Sequence, residues 1–241
     1  MPCEIIVRFA RLKDLQKRRE LVQNSYSINF WDAFLFFFFQ ELTLELCVLG
    51  AAVLFIFCGV SAAACAALLP AAAAVVAAAV LLYRYALALK HAQNVSRELY
   101  GLVAEAHGSL LPPGNNSLST RIHLTENEDK SSLSAYHGHI VGTVSVLDFQ
   151  GASASGWVEG LSVISEWRRH GVGTALTGAA RRAAAVRGLQ SLECALSHLQ
   201  PSARRLLHSA GWECRGSYER RLAGAALTLP VLRLGTDLPL A

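Results

Sequence analysis

Residues Trp157–Arg187 read WVEGLSVISEWRRHGVGTALTGAARRAAAVR. The opening alternates: Trp157, Glu159, Leu161 and Val163 point one way, and Val158, Gly160 and Ser162 the other. That pattern is a short, largely buried strand. Thr174–Arg187 is rich in Ala, Leu and Arg, strong helix formers, and Gly188 stands where a helix ends. Between the two lies Arg168-Arg169-His170-Gly171-Val172-Gly173. A strand feeding a glycine-containing loop that opens a helix is an anion site. The first-turn N–H groups have no intrahelical partner, and the helix dipole favours negative charge there. Gly171 and Gly173 let the backbone approach the anion closely. Arg168 and Arg169 add charge, with His170 as a further candidate.

Composition sets limits around this stretch. A chain of 241 residues holds one or two domains. It is 53% hydrophobic and only 17% charged, apolar for a soluble domain. The net charge of +4 comes without a long basic stripe or an aromatic-interleaved basic patch, which argues against a nucleic-acid partner. The cysteines, at 3, 47, 58, 65, 194 and 214, form no C-x-x-C pair, and three lie in an apolar run. This is neither a disulfide framework nor a zinc site, and it fits a reducing compartment. His137-x-His139 has no partner cluster, so no metal is expected.

The second organising feature is Leu46–Tyr83, 38 residues without a charged side chain. A straight bilayer crossing takes roughly 20 residues, so the run suits two short crossings. Pro70 is the candidate bend, and Gly50, Gly59, Ser61 and the alanines allow close helix packing. Ahead of it, INFWDAFLFFFFQ (Ile28–Gln40) suits a membrane interface, where aromatic side chains collect. Basic residues precede any apolar segment, and no signal peptide is expected.

Ile5–Phe9 reads as a strand and Leu12–Asn24 as a basic amphipathic helix. Arg84–His107 reads as a helix leaving the membrane, and 108–131 as loop. Ser132–His137 and His139–Leu147 read as a hairpin turning at Gly138. Later come a strand at Ser191–Leu196, a helix at Ser202–Ala210 capped by Gly211, and strands at Trp212–Ser217 and Ala226–Leu234.

The segment R-x-x-G-x-G after L-S-V resembles the acyl-CoA pyrophosphate loop of the Gcn5-related N-acetyltransferase superfamily. LSVISEWRRHGVGTAL (Leu161–Leu176) and LQPSARRLLHSAGW (Leu199–Trp212) resemble the matching blocks of the camello-like N-acetyltransferases. That family includes membrane-bound cysteine-S-conjugate and aspartate N-acetyltransferases, and it too carries an apolar insert after the first strand–helix unit. The resemblance implies an α/β (α+β) fold: a mixed, mostly antiparallel sheet flanked by helices, with an inserted membrane hairpin. It divides the chain into a first strand–helix unit (1–27), an interfacial aromatic segment (28–45) and a membrane hairpin (46–83). A connecting helix and loop (84–131) and the rest of the acetyltransferase domain (132–241) follow.

The implied chemistry is transfer of acetyl from acetyl-CoA to a primary amine by direct attack in a ternary complex. The amine belongs to a small amino acid, a cysteine conjugate or a protein lysine. The strand before the loop splays from its neighbour, and its free backbone around Leu161, Ser162 and Val163 binds the pantetheine arm. The backbone of Arg168, Arg169, His170, Gly171, Val172, Gly173 and Thr174 holds the pyrophosphate. The amine must lose a proton and the leaving thiolate gains from an acid. Glu159 sits where many superfamily members keep a basic carboxylate, and desolvation beside Trp157 is expected to raise its pKa. The superfamily's usual Tyr acid falls at Leu207, which cannot donate. His208 or Tyr218 substitutes, solvent does, or the chain is a weakly active or silent membrane-tethered binding protein. No metal enters the reaction. The implied location is an endomembrane, endoplasmic reticulum or Golgi, with both termini and the catalytic domain cytosolic. The sequons at Asn94 and Asn115 are then never read.

Overall fold

The computed structural model describes residues 4–27, 30–107, 121–124, 138–149, 154–223 and 227–239. The chain opens with β1 (Glu4–Phe9), a 3-10 turn at Leu12–Asp14 and α1 (Leu15–Ser27). Four helices follow: α2 (Phe30–Phe38), α3 (Glu41–Phe57), the short α4 (Ala62–Cys65) and the long α5 (Leu68–Asn94). Then come β2 (Tyr100–His107), β3 (Arg121–Leu124), β4 (His139–Phe149), β5 (Ser155–Val163), α6 (Val172–Val186), β6 (Ser191–Ser197), α7 (Pro201–Ser209), β7 (Glu213–Ala223) and β8 (Leu227–Asp237).

All eight strands form one sheet in the order β3-β1-β2-β4-β5-β6-β8-β7. Only β1/β3 and β5/β6 pair in parallel; the other neighbours are antiparallel. The mixed, mostly antiparallel sheet is therefore as expected. β1 lies beside β2, so the strands on either side of the helical insert are direct neighbours.

Helices cover both faces of the sheet. On α6, Val172, Leu176, Ala180 and Ala184 recur every four residues and are buried, a helical stripe facing the core. Gly142 of β4 makes room for it: a Cβ there would lie 2.9 Å from Leu176 and 3.1 Å from Val172. The next residue, Thr143, accepts a hydrogen bond from Arg18 of α1. Adjacent strand residues point to opposite faces, so α6 and α1 lie on opposite sides.

The insert is a helical hairpin. No residue of α3 is buried, and Val48, Leu49, Ile56 and Phe57 are largely exposed, as are Leu69, Val75 and Leu82 of α5. One stretch, Ala63–Arg97, is long and apolar enough to cross a membrane; α2 and α3, bent by 55°, are a second if taken as one span. A small second core of Ala33, Phe37, Val80 and Leu229 seats α2 and α5 on β8. The bend is not at Pro70. Pro70 sits in the first turn of α5, where a missing N–H costs nothing. The chain turns instead after Phe57, with Gly59 in the left-handed region at φ +63°.

A second correction concerns Arg84–His107. The helix stops at Asn94, and Tyr100–His107 is a central strand between β1 and β4. Its run YGLVAEAH is buried on both faces, which removes the alternation that marks a half-exposed strand. The first arm of the expected hairpin, Ser132–His137, lies outside the described residues, as do the Asn115 sequon and the charged cluster at 126–130. The second arm is β4, which pairs with β2 and β5.

Candidate active site

β5 is paired with β6 over three residues only: Ser155 with Ser191, Gly156 with Leu192, Trp157 with Glu193. From Val158 onward the two strands part, which leaves the β6-facing backbone of β5 without a ladder. On its other edge β5 carries a bulge. Ser145 of β4 faces Glu159 and Thr143 faces Ser162, so β5 spends one extra residue there. Gly160 supplies the turn with φ +64°, and a bulge of this kind re-aims the groups beside it. A Cβ at Gly160 would meet Val22 of α1 at 3.4 Å. Ser162 is buried and donates to the Leu21 carbonyl of α1 at 3.0 Å, while Leu161 and Val163 are half-buried.

β5 runs directly into the loop expected to bind an anion. Trp167 is buried and anchors it. Arg168 Nε donates to the Val163 carbonyl at 3.1 Å, and His170 Nδ1 donates to the Arg168 carbonyl at 2.8 Å. Both side chains therefore brace the loop. Arg169 is exposed and takes φ +67°, a setting uncommon for a residue with a Cβ. Gly171 follows at φ +82° as the N-cap of α6. Its carbonyl accepts the Ala175 N–H at 2.9 Å, so the N–H groups of Val172, Gly173 and Thr174 are the unpaired donors of the first turn. Gly173 has a different reason to be glycine than close approach to an anion. It is buried, and a Cβ there would lie 2.5 Å from Leu206 of α7. The contact that needs Gly173 is helix packing. A loop with three free N–H groups, an exposed Arg169 and an exposed Thr174 suits a pyrophosphate.

The carboxylate expected as base is Glu159, and its surroundings come from the insert. Asn94 Nδ2 donates to both carboxylate oxygens, at 3.3 and 3.1 Å, and His91 Nδ1 is in hydrogen-bond contact with Oε1. The expected upward pKa shift is not found. Burial does push the Glu159 carboxyl up, but His91, Asn94 and the nearby Lys90 outweigh it and hold the group below its ordinary value. His91 and Asn94 were not legible as site residues: their partner is more than sixty positions away in sequence. The one available signal was their i, i+3 spacing, which puts both on one side of a helix.

The candidate acids are not gathered around Glu159. His208 is exposed in the last turn of α7, and Tyr218 on β7 is half-exposed. Neither hydrogen-bonds to the carboxylate. Leu207 is buried in the main core beside Trp212. Among the described residues no group of three or more His, Cys, Asp or Glu is placed to hold a metal.

Residues 96–212 match the model of the acetyltransferase (GNAT) family. No curated protein matches the chain. Several solved structures align with parts or all of the chain. An IAA acetyltransferase from Bacillus cereus aligns at TM-score 0.40 and 15% identity, covering 62% of this chain and 83% of that one. A putative phosphinothricin N-acetyltransferase aligns at TM-score 0.47 and 15% identity, covering 98% and 99%. NAA60 from Arabidopsis thaliana, in complex with a bisubstrate analogue, aligns at TM-score 0.42 and 11% identity, covering 63% and 83%.

Proposed function

We propose that the chain is a camello-like, acetyl-CoA-dependent N-acetyltransferase of an endomembrane, a reading supported by the match of residues 96–212 to the acetyltransferase (GNAT) family model. It moves acetyl to a primary amine of a small amino acid, a cysteine conjugate or a protein lysine. The observation that carries the reading is the continuity of β5: a parted, bulged strand that leads without interruption into an anion loop. The pantetheine arm lies along Leu161–Val163, and the pyrophosphate sits on the N–H groups at Val172, Gly173 and Thr174. The amine approaches from the Glu159 side, where α1 and α5 meet the sheet.

The reaction joins two bound substrates. The amine nitrogen attacks the thioester carbonyl, the C–N bond forms, and the C–S bond breaks with its electron pair leaving on sulfur. Backbone donors freed by the bulge polarise the carbonyl oxygen, a form of preorganised stabilisation. The thiolate takes its proton from solvent, His208 or Tyr218.

The insert supports a site held at a membrane. Its exposed apolar side chains on α3 and α5 are satisfied by lipid. β1 and β2 are neighbours in one sheet, so the insert enters and leaves on one face of the bilayer. Arg11, Lys13, Lys17, Arg18 and Arg19 before it, and Arg84, Lys90 and Arg97 after it, favour the cytosolic face.

A second reading is a silent acetyl-CoA-binding protein, favoured by Leu207 standing in the core where the superfamily has its acid. Turnover separates the two. The full chain in detergent, given acetyl-CoA with aspartate, S-benzylcysteine or a lysine peptide, releases CoA and acetylates one acceptor if it is an enzyme. Acetyl-CoA binding with no acetylated product from any acceptor supports the silent reading.

A further inference from the structure

The proton path at this site has a member that the family motif does not name. We propose that His91, on the last turn of α5, takes the acceptor amine's proton, and that Glu159 is the positioning carboxylate that orients it. This rests on the acetyltransferase reading above.

The hydrogen bond fixes the tautomer. An ionised carboxylate only accepts, so His91 Nδ1, in contact with Glu159 Oε1, carries the hydrogen. Nε2 is then the basic nitrogen of the neutral ring, and proton exchange falls to it. Asn94 Nδ2 reaches both oxygens of Glu159 and keeps the carboxylate aimed at the ring. A carboxylate, an imidazole and an amide so arranged repeat the logic of a base oriented by a third group.

The same geometry disfavours Glu159 as base. Its charge is already held by an imidazole and an amide, and a carboxylate below its ordinary range draws a proton poorly near neutral pH. His91 lies in the last turn of α5, where the negative end of the helix dipole favours the imidazolium formed by the transfer. Both groups are largely but not fully buried, with side chains 18% and 13% exposed. The site is therefore dry enough to strengthen the pair and open enough for an amine to arrive.

The step balances. The ammonium proton of the acceptor moves to His91 Nε2, and the freed nitrogen pair forms the C–N bond. The C–S pair leaves as thiolate, and the nitrogen sheds its second proton to water as it becomes the amide. The imidazolium also gives its proton to water; the thiolate takes up one of these two protons and the other is released to solvent. Glu159 stays ionised throughout. The helix that carries the apolar span then also ends in the base.

The test uses the full chain in detergent, acetyl-CoA, and aspartate, S-benzylcysteine or a lysine peptide as acceptor. His91→Asn keeps an N–H near the Nδ1 position and removes Nε2. If His91 is the base, kcat falls by about 10²–10⁴, the share of one general base. Acetyl-CoA affinity by calorimetry and the melting temperature stay near wild type. In His91→Ala, added imidazole restores turnover several-fold. His91→Asn with wild-type kcat, or His91→Ala that imidazole does not restore, overturns the assignment and leaves His91 as a holder of Glu159. A wild-type chain that binds no acetyl-CoA overturns the acetyltransferase reading and this assignment together.

Discussion

Arg18 and Glu98 meet in a two-pronged ion pair, with both N–O distances at 2.6 Å. Arg18 is buried and also donates to Thr143 at 2.8 Å and Ser145 at 3.0 Å. Its residue precedes the insert and its partner follows it. The pair therefore clamps the point where the chain departs to the point where it returns. Gly101 belongs to this clamp, since a Cβ there would collide with the Arg18 guanidinium and the Glu98 carboxylate.

Arg18→Met removes one partner of a buried pair and leaves Glu98 uncompensated, which costs about 3–5 kcal/mol. Arg18→Met/Glu98→Met together cost less than the single change. Denaturant unfolding of the three proteins in detergent checks this, and equal losses would mean that the pair is not coupled.

The proposed membrane hairpin, with the clamp and the shared sheet at its base, predicts that both termini lie on one side of the bilayer. Tags at the N- and C-terminus of protein made in a eukaryotic cell are expected to be equally open to protease in intact microsomes. Asn94 is expected to carry no glycan, because its side chain is held by Glu159. A glycosidase-sensitive shift lost in Asn94→Gln, or protection of one tag alone, would contradict the hairpin.

The low pKa of Glu159 links stability to pH. A carboxyl whose folded pKa lies below its unfolded value, ordinarily 4.5, contributes stability that is present above that value. The contribution is lost as pH falls through the depressed folded value. The difference in melting temperature between wild type and Glu159→Gln should thus be largest at neutral pH and shrink below the ordinary carboxylate range. A difference that grows on acidification would mean the pKa is raised. Kinetically, Glu159→Gln should lower turnover by about 10²–10⁴ with little change in KM for acetyl-CoA, as loss of a base or its orienter does.

Leu207→Tyr would restore a hydroxyl at the superfamily's acid position, but the core is closed around it. Leu207 packs with Trp212 among buried side chains, and overpacking costs about 1–3 kcal/mol. The variant is expected to melt lower than wild type and to turn over no faster. A faster, equally stable variant would show that thiolate protonation limits the reaction and that the core yields.

Much of this was legible from local pattern. The strand, loop and helix from Trp157 to Arg187 appear within two residues of their expected places, because alternation, glycine and alanine each act locally. A long apolar helical stretch was legible from the lack of charge over Leu46–Tyr83. What failed was long-range. Tyr100–His107 gives no alternating signal when both faces are buried. Gly173 looks like an anion-loop glycine until Leu206 is seen over it. The sign of the Glu159 shift depended on His91 and Asn94, which only the fold brings near.

The central claim is that the Arg168–Gly173 loop holds the pyrophosphate of acetyl-CoA, and calorimetric titration of the full chain in detergent tests it most directly. Gly171→Trp forces a bulky residue into φ +82° at the N-cap of α6, across the free N–H groups. Losing charge-assisted hydrogen bonds there costs about 1.5–3 kcal/mol each. The account predicts saturable acetyl-CoA binding by wild type and loss of most of that affinity in a folded Gly171→Trp protein. Equal affinity in the two proteins would contradict it.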